Sequence, residues 1–521
     1  MKRALDELLP DSLLPGLGTN YYSTVPTTPV SEPHLVAFNP DAAALIDLDP
    51  AQARDARFIE VMAGNAPMPH GESVAMLYAG HQFGVFVPQL GDGRAITVGE
   101  VKNARGEHWE LQLKGAGKTP YSRFGDGRAV LRSTIREYLC GEAMHGLGIP
   151  TTRSLCIVGS PLPVQRETME TAAVLCRMAP SHVRFGSFEV FYYRGEHGRL
   201  APLADHVIRN HFPDIGARAP PTEAPLPPAR ETRPYTKEAS TESLPAERSV
   251  GGPLGPTDYA AWLKEVIERT ARLMAQWQSV GFCHGVMNTD NFSILGLTLD
   301  YGPYGFMEQF EPGWICNHTD EGGRYSYENQ PGIGHWNCSK LLQATLPLLD
   351  DKPEAAVEKA YALLEAYGPA FTAENVARWR AKLGLREPRD SDPDLVNRLL
   401  DVMARSKADF TTVFRLLKNP AAVRDHMLDL ECYDAWLADY RARLAHENSD
   451  DAGRAARMDA ANPKYVLRNH LAQAAIEKAQ VGDFGEIEVL RALLARPFDE
   501  QPGYEAYTQP GTQKIEVSCS S

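Results

Sequence analysis

The chain has 521 residues, 43 % of them hydrophobic and 23 % charged, a composition typical of a folded protein with one large core or several. Its net charge of −14 argues against binding to nucleic acid or to an anionic membrane. The sequence contains no run of about 18 apolar residues, so it predicts no membrane-spanning helix. The acidic N-terminus does not resemble a secretory signal. The eight cysteines are scattered, which favours a reducing compartment, so a cytoplasmic location is expected.

The first part of the chain predicts a β-rich unit. Residues 1–72 are rich in proline and turn signals and are expected to form an N-terminal extension that packs on the core. Alternating apolar residues predict strands within residues 73–113. A helix over residues 128–147 follows, with apolar positions at 3.6-residue spacing, and then another pair of strands. Residues 73–212 are therefore expected to form one lobe.

The rest of the chain predicts mainly helices. Ten prolines mixed with charges in residues 213–256 cannot form a core element and predict a flexible surface insertion. Residues 257–496 are expected to form a helical lobe. Residues 497–521 are polar and predict a tail that is ordered only where it docks on the protein.

Residues 284–302 resemble a kinase catalytic loop followed by an Asp-x-Gly metal site. In a kinase, the pattern His-Arg-Asp-x-x-x-x-Asn has the base at its third position and a metal ligand at its eighth. Here Asn291 occupies the eighth position, but the third is Val286, which cannot accept a proton. Asp290 is the carboxylate that remains as a candidate general base. Asp300 follows as a second oxygen ligand of the kind that Mg²⁺ takes.

Two Gly-Asp-Gly-Arg sequences are candidate phosphate-binding turns. Residues 91–94 lie between predicted strands, and residues 125–128 lead into the predicted helix, whose N-terminus favours anions. An ordinary hairpin turn and simple capping of the helix by an aspartate are the structural alternatives. The candidate nucleotide ligands in these turns are Gly91, Gly93, Arg94, Asp126 and Gly127.

Four further charged residues complete the candidate site. Lys114 ends a predicted strand and Glu137 lies in the predicted helix, which is the layout of the kinase ion pair that holds a lysine on nucleotide phosphates. Singly, each residue is better explained as an exposed charge, but together and in this order they favour the ion pair. Arg177 and Arg184 supply the cations that a triphosphate requires, and ordinary surface arginines are the alternative.

Cysteine and histidine residues farther along have the composition of a zinc site. They are Cys316, His318, His335 and Cys338. The Cys-x-His spacing is atypical of zinc ligands, so this interpretation is disfavoured. Cys316 is of more interest as a thiol in the segment that a kinase would use as its activation loop.

Together these motifs resemble the selenoprotein O family of protein AMPylases, which have a pseudokinase fold. The similarity runs nearly from end to end, but residues 213–256 have no confident match. The matching segments are residues 79–84, 89–94, 111–117, 121–128, 284–291, 300–303, 330–337 and 462–469, with the terminal Cys-Ser-Ser.

The resemblance implies an α+β fold with two kinase-like lobes and extra N- and C-terminal segments. It implies that ATP binds the opposite way round from a kinase, so that AMP is transferred to protein Ser, Thr or Tyr hydroxyls and diphosphate is released. By this similarity Asp290 is the proton acceptor, and Asn291 and Asp300 hold Mg²⁺, or alternatively Mn²⁺. Glu137 orients Lys114. The residues implied to contact the nucleotide are Gly91, Gly93, Arg94, Lys114, Asp126, Gly127, Arg177 and Arg184.

The resemblance also bears on regulation and partners. Eukaryotic members of the family carry selenocysteine near the C-terminus, where this chain has Cys519. A Cys316–Cys519 disulfide that restrains activity is implied, although an exposed terminal cysteine is usually inert. Protein substrates are expected, with no nucleic acid or membrane partner, and the chain is expected to be a monomer. Two alternatives stay open: a conventional phosphotransferase, and an inactive ATP-binding scaffold, which Val286 suggests.

Overall fold

The computed structural model describes residues 2–215, 253–447, 449–512 and 515–517. Cys519, and all but the ends of the predicted insertion at 213–256, lie outside these residues. Each helix in the described part of the chain is too short or too polar to cross a membrane. Helices and antiparallel sheets are combined in an α+β arrangement.

In the described part of the chain, the strands form one large antiparallel sheet and two separate two-stranded sheets. The large sheet has the order β2-β4-β7-β8-β11-β10-β3, with β1 paired to β7 and β9 to β11, while β5–β6 and β12–β13 pair separately. The strands are β1 (Pro10–Asp11), β2 (Tyr22–Thr24), β3 (His34–Phe38), β4 (Val74–Met76), β5 (Gly80–Gln82), β6 (Val85–Val87), β7 (Ala95–Lys102), β8 (His108–Lys114), β9 (Ala129–Val130), β10 (Arg153–Gln165), β11 (Met169–Ala179), β12 (Phe282–Cys283) and β13 (Gly305–Phe306).

Helices dominate the chain after the sheet. The α-helices are α1 (Pro40–Leu45), α2 (Ala56–Met62), α3 (Leu131–Gly146), α4 (Gly186–Tyr193), α5 (Leu200–His211), α6 (Pro256–Ser279), α7 (Gln330–Leu349), α8 (Pro353–Leu364), α9 (Tyr367–Lys382), α10 (Asp392–Ser406), α11 (Phe410–Leu416), α12 (Pro420–Arg424), α13 (Leu430–Leu444), α14 (Asp451–Ala461), α15 (Asn469–Gln480) and α16 (Gly485–Leu494). The 3₁₀ helices are Leu5–Glu7, Pro15–Leu17, Pro50–Arg54, His197–Arg199, Thr289–Asn291, Tyr327–Asn329 and Glu505–Thr508.

Residues 1–72 are built into the sheet. They contribute β1, β2 and β3, and they bring α1 and α2 against one sheet face, where Phe58 and Met62 pack with Ile96 and Leu113. The composition of this segment did not predict these strands, because each is short and needs a neighbouring strand to form its hydrogen bonds.

The predicted helix at 128–147 is α3, which begins only at Leu131. Ala129 and Val130 instead form β9 and pair with Ala173 and Ala172 of β11. The prediction that the helix begins at residue 128 was therefore wrong. The backbone groups of Ala129 and Val130 form hydrogen bonds with β11 and so cannot be part of the helix.

The register of β8 and β11 sets which side chains face α3. Arg177 lies opposite Gln112, and Lys114 follows two residues later on β8. Cross-strand partners share a sheet face, and so do residues two apart on one strand. Gln112, Lys114 and Arg177 therefore lie on the face towards α3, whereas Leu111 and Leu113 enter the core on the opposite face.

The helices after the sheet surround two cores. α6 is buried through Trp262 and Trp277 in the core that α3, α4 and α7 also line. A separate core, which includes Phe410 and Trp436, is formed mainly by residues of the six helices from α9 through α14. The loop at 284–302 follows α6, and β12 pairs with β13 at its two ends. Isolated β-bridges from Ser293 to Arg184 and from Thr298 to Thr151 hold it beside the segments that flank β10 and β11.

Candidate active site

A cleft of about 890 Å³ lies between the sheet and the segment after α6. It is lined by segments that are far apart in the sequence: the turn at 91–94, the loop at 121–128, the ends of β8 and β11, and residues 286–303. Glu137 lies behind this lining and contacts Lys114. The predicted site residues that line the cleft are Gly91, Gly93, Arg94, Lys114, Asp126, Gly127, Arg177, Arg184, Asp290, Asn291 and Asp300.

The side chain of Lys114 forms an ion pair with Glu137 of α3. Glu137 is buried, and its other oxygen accepts a hydrogen bond of 2.8 Å from Nη1 of Arg177. Burial lowers the pKa of the Lys114 ammonium, and the carboxylates of Glu137 and Asp300 oppose that shift. The glutamate thus holds both cations at the wall of the cleft.

Asp300 lies among three cations. Its two oxygens form ion pairs with Arg177 and Arg184, and Nζ of Lys114 is 3.8 Å from Oδ1. Burial disfavours the charged carboxylate, but these cations hold the pKa of Asp300 well below its usual range. Its φ of +58° is rare for a residue with a side chain, and such conformations concentrate at functional sites.

Arg94 lines the same cleft. Its guanidinium forms no ion pair or side-chain hydrogen bond with the residues that the structure describes. Burial lowers the pKa of this guanidinium, although Glu137 nearby favours its charged form. A partly buried arginine without a direct partner is suited to receive an anionic ligand.

The first glycine turn is closed around an aromatic ring. Gly91 has a φ of +125°, and a Cβ atom there would lie 2.4 Å from Cγ of Tyr121. Between the two glycines, the buried Asp92 carboxylate accepts hydrogen bonds from the Met76 amide (3.0 Å) and from Nε2 of Gln112 (3.3 Å). Asp92 therefore anchors the turn at the wall of the cleft.

The second glycine turn is held by Asp126. This exposed carboxylate pairs with Arg166 at 2.7 Å and accepts a hydrogen bond from the Arg128 amide at 2.9 Å. The N-cap of α3 is Val130, without a side-chain cap. The alternative in which Asp126 simply caps the helix was therefore wrong, because β9 separates this turn from α3.

We expect Gly127→Ala to destabilise the protein and to weaken nucleotide binding. Gly127 has a φ of +75°, and a Cβ atom there would lie 2.2 Å from the carbonyl carbon of Gly117. The strain and the clash with backbone together are expected to cost roughly 2–4 kcal/mol. Chemical denaturation and ATP titration measure the two effects.

Gly148→Ala is the matched control for this substitution. Gly148 has a similar φ of +73°, but a Cβ atom there would meet no atom of the described residues within 4 Å. We expect only the backbone strain, about 1 kcal/mol, and unchanged nucleotide affinity. Equal effects of the two substitutions on ATP affinity would contradict a role of the second turn in binding.

Asp290 is buried, with 7 % of its surface exposed. Its Oδ2 accepts a hydrogen bond of 3.4 Å from Nε2 of Gln82, and its Oδ1 is buried without a partner among the described residues. Nη1 of Arg184 donates to the Asp290 carbonyl at 2.7 Å. Burial raises the pKa of the Asp290 carboxyl to about 7, which favours a proton acceptor near neutral pH.

The oxygens around Asp290 fit a divalent cation. Asn291 donates from Nδ2 to the Val286 carbonyl at 2.9 Å, so its amide oxygen is the atom left to bind a ligand. Asn291 and Asp300 line one cleft. Oδ1 of Asp290, which has no hydrogen-bond partner in the described part of the chain, adds a buried acceptor beside them. Such a set of hard oxygen donors suits Mg²⁺, which retains phosphate and water ligands.

The cysteines and histidines considered for zinc do not form a site. Sγ of Cys316 donates to the Pro303 carbonyl at 2.9 Å, and Cys338 is buried in α7. Across the described ranges, no three His, Cys, Asp or Glu side chains are grouped as metal ligands. Neither cysteine is therefore a zinc ligand in this arrangement.

The structure adds residues to the cleft that carried no assigned role. Gln82 and Phe83 of the β5–β6 hairpin line it, as do Arg123 and Phe124 of the loop at 121–128. They lie in segments that the family resemblance marks, but their residue types form no catalytic pattern. Arg166 lines the cleft as well, whereas the neighbouring Arg153 makes a buried ion pair with Glu142.

Similarity to known proteins covers nearly the whole chain. Proteins named Protein nucleotidyltransferase YdiU are 53 % identical over 502 residues in Thioalkalivibrio sulfidiphilus (strain HL-EbGR7), 51 % over 517 in Methylococcus capsulatus (strain ATCC 33009 / NCIMB 11132 / Bath) and 50 % over 528 in Myxococcus xanthus (strain DK1622). These matches cover 95, 97 and 99 % of this chain, and 94, 95 and 99 % of the relatives. Residues 8–495 match the family described as Protein adenylyltransferase SelO. The resemblance found in the motifs is thereby confirmed, and the chain belongs to the SelO family of protein adenylyltransferases.

Proposed function

We propose that this chain transfers AMP from ATP to Ser, Thr or Tyr hydroxyls of proteins and releases diphosphate. Membership in a family of protein adenylyltransferases supports the class of reaction. The observation that carries the assignment of residues is a single cleft lined by Lys114, Asp290, Asn291 and Asp300, with Glu137 paired to Lys114 behind this lining. The kinase base is absent from this cleft, because Val286 occupies its position.

We further propose that the fold is kinase-like, with residues 73–212 and 257–496 as its two lobes. The support is the order of the functional parts: a sheet that ends in a lysine, a helix with its glutamate partner, and then a helical part that carries the loop with the oxygen ligands. Residues 1–72 and 497–521 are the additions to this arrangement. The cytoplasmic location and the monomeric state remain predictions.

The nucleotide phosphates would be bound by the cations of the cleft. Lys114, Arg177 and Arg184 are held by Glu137 and Asp300, while Arg94 has no direct partner among the described residues. Several fixed cations offset the charge of a triphosphate without a reorganisation of the site. The glycine turns let backbone N–H groups approach the same phosphates.

Asn291 and Asp300 would hold Mg²⁺, with Mn²⁺ as an alternative. When bound, the metal ion neutralises charge on phosphate oxygens in the transition state. Asp290 would accept the proton of the acceptor hydroxyl, whose oxygen then bonds to the α-phosphorus as the bond to diphosphate breaks. The reversed orientation of ATP, which presents the α-phosphorus, rests on the family resemblance.

Labelled ATP tests this function against the two alternatives. Incubation of the protein with an acceptor protein and α-labelled ATP is expected to label the acceptor, and γ-labelled ATP is not. Label from the γ-position alone would indicate a conventional phosphotransferase, and no label from either would favour a scaffold. The relatives' names leave the nucleotide open, so α-labelled UTP, GTP and CTP belong in the same experiment.

A disulfide between Cys316 and Cys519 is a second proposal. The tail docks beside Cys316, because the His318 amide donates to the Val517 carbonyl at 3.1 Å and Asn317 pairs with Val517 as a parallel β-bridge. Burial raises the pKa of the Cys316 thiol well above its usual range, so oxidation is expected to be slow.

Oxidised protein digested without reductant is expected to yield a peptide that links Cys316 to Cys519. Mass spectrometry before and after reduction detects it, and the oxidised form is expected to transfer less AMP. Cys432, a partly exposed cysteine on α13, serves as the control site for non-specific oxidation. Persistently free Cys316 and Cys519 thiols under oxidant would contradict the pairing.

A further inference from the structure

A closed ring of hydrogen bonds lies directly behind Asp290. Oγ1 of Thr289 donates to Oε2 of Glu189 at 2.5 Å, and Oε1 of Glu189 lies 2.8 Å from Nδ1 of His81. The His81 backbone amide donates back to Oγ1 of Thr289 at 2.7 Å. All three residues are buried, Glu189 and Thr289 completely. The single hydroxyl of Thr289 therefore donates one hydrogen bond and accepts another.

This ring joins three separate elements at the candidate base. His81 lies in the middle of β5, Glu189 lies on α4, and Thr289 begins the 3₁₀ helix Thr289–Asn291. Thr289 is the residue directly before Asp290. The ring therefore connects the backbone that carries the base to a strand and a helix that precede it by about a hundred residues or more.

The strand that the ring holds also contacts the carboxyl group of Asp290. Gln82, next to His81, donates from Nε2 to Oδ2 at 3.4 Å. Gly80, on the other side of His81, packs so closely that a Cβ atom there would lie 2.7 Å from Oδ1. A shift of His81 would thus move the neighbours of both carboxyl oxygens.

The chemistry of Glu189 points to positioning more than to stability. Among the described residues it pairs with no lysine or arginine, and its side-chain partners are the His81 imidazole and the Thr289 hydroxyl. A buried carboxylate is costly to desolvate, and apolar residues of similar size often stabilise a core at least as well. None of the three ring residues is among those that line the cleft, so direct contact with the nucleotide does not explain them.

We propose that Glu189 is a positioning residue, which orients Asp290 for proton transfer through Thr289 and His81. The inference rests on the proposed function, in which Asp290 is the base. Its consequence is a specific kinetic signature: loss of the ring lowers turnover and leaves nucleotide binding intact, because the phosphate-binding cations lie on other elements.

Thr289→Val removes the hydroxyl and keeps the shape of the side chain. We expect kcat for AMP transfer to fall roughly 10–100-fold, because small displacements of a catalytic group cost about this much, with KM for ATP within about twofold of wild type. Thr289→Ser retains the hydroxyl and is expected to restore kcat. Glu189→Ala is expected to reproduce the loss, and Glu189→Gln, which keeps one acceptor oxygen, to lose less.

Thr345→Val is the matched control. Thr345 is a completely buried threonine of α7 whose Oγ1 donates to the Leu341 carbonyl at 2.9 Å. Removal of its hydroxyl is expected to change thermal stability about as much as Thr289→Val does, without an effect on kcat. A wild-type kcat in Thr289→Val, or equal kcat losses in Thr289→Val and Thr345→Val, would overturn the positioning role.

Crystal structures of both valine variants separate this inference from the proposed function. In Thr289→Val the Asp290 carboxyl group is expected to move relative to Gln82, and in Thr345→Val it is expected to stay. If wild-type protein fails to transfer α-label, the proposed reaction is contradicted. The crystal structures would still show whether the ring determines the position of the Asp290 carboxyl group. An unmoved Asp290 in Thr289→Val would overturn the inference even if AMP transfer is observed.

Discussion

Asp290→Asn is expected to reduce AMP transfer by roughly 10²–10⁴-fold, the usual contribution of a general base. Asparagine has nearly the same shape, and its side-chain oxygen can keep the hydrogen bond from Nε2 of Gln82. It cannot accept the proton of the acceptor hydroxyl. Binding of ATP is therefore expected to change little, since the cations that face the phosphates stay in place. Single-turnover transfer of α-label and ATP titration measure the two quantities.

Asp392→Asn controls for the loss of a buried carboxylate as such. Asp392 is buried at the start of α10, where it pairs with Arg443 at 2.7 Å, and it does not line the cleft. This variant is expected to lose stability, because Arg443 keeps Glu447 but loses one of its two carboxylate partners. The folded protein should still transfer AMP at the wild-type rate. A wild-type rate in Asp290→Asn would instead restrict Asp290 to a structural role in its loop.

Asp300→Ala is expected to lower AMP transfer to background, because it removes a proposed metal ligand. The geometry predicts a second effect of opposite sign. Arg177, Arg184 and Lys114 lose the carboxylate that they share. Without a metal ion, the variant is therefore expected to bind ATP at least as tightly as wild type, and added Mg²⁺ is expected to stop influencing binding.

Calorimetric titration of ATP with and without Mg²⁺ distinguishes these effects. The excess of positive charge around the empty Asp300 position is expected to lower the unfolding temperature, and bound ATP to restore it. Asp300→Asn preserves the shape of the side chain and is expected to resemble the alanine variant in transfer. Full activity in either variant would show that Asp300 is not a required metal ligand. Weaker ATP binding without metal would contradict the prediction that the freed cations bind ATP at least as tightly as wild type.

Much of the site could be predicted from the sequence, because the residue patterns that mark it lie within short segments. In the loop at 284–302, the relation of Val286 to Asp290 and Asn291 is a matter of spacing along a few residues. The strands of residues 73–113 and α3 were predicted correctly in type, since alternation and 3.6-residue spacing are local patterns. The start of α3 was not, because β9 forms only when β11 is beside it.

Other features depend on which distant segments meet. Asp126 forms an ion pair with Arg166, in the turn between β10 and β11, and does not cap α3. Asp300 forms ion pairs with Arg177 and Arg184, which lie more than a hundred residues earlier in the sequence. The hydrogen-bonded ring of His81, Glu189 and Thr289 could not be predicted from the sequence, since Glu189 is not part of a recognisable motif. Such contacts are set by strand register and helix packing, which no local spacing encodes.

The sequence by itself therefore determined the family, the class of reaction and the candidate residues, because motif spacing and residue chemistry survive without a fold. Only the tertiary structure decided how these residues act on one another. It surrounded Asp300 with cations and buried Asp290 with one oxygen that has no partner among the described residues. The physical reason is that charge, burial and hydrogen bonding depend on distances in space, and folding sets those distances.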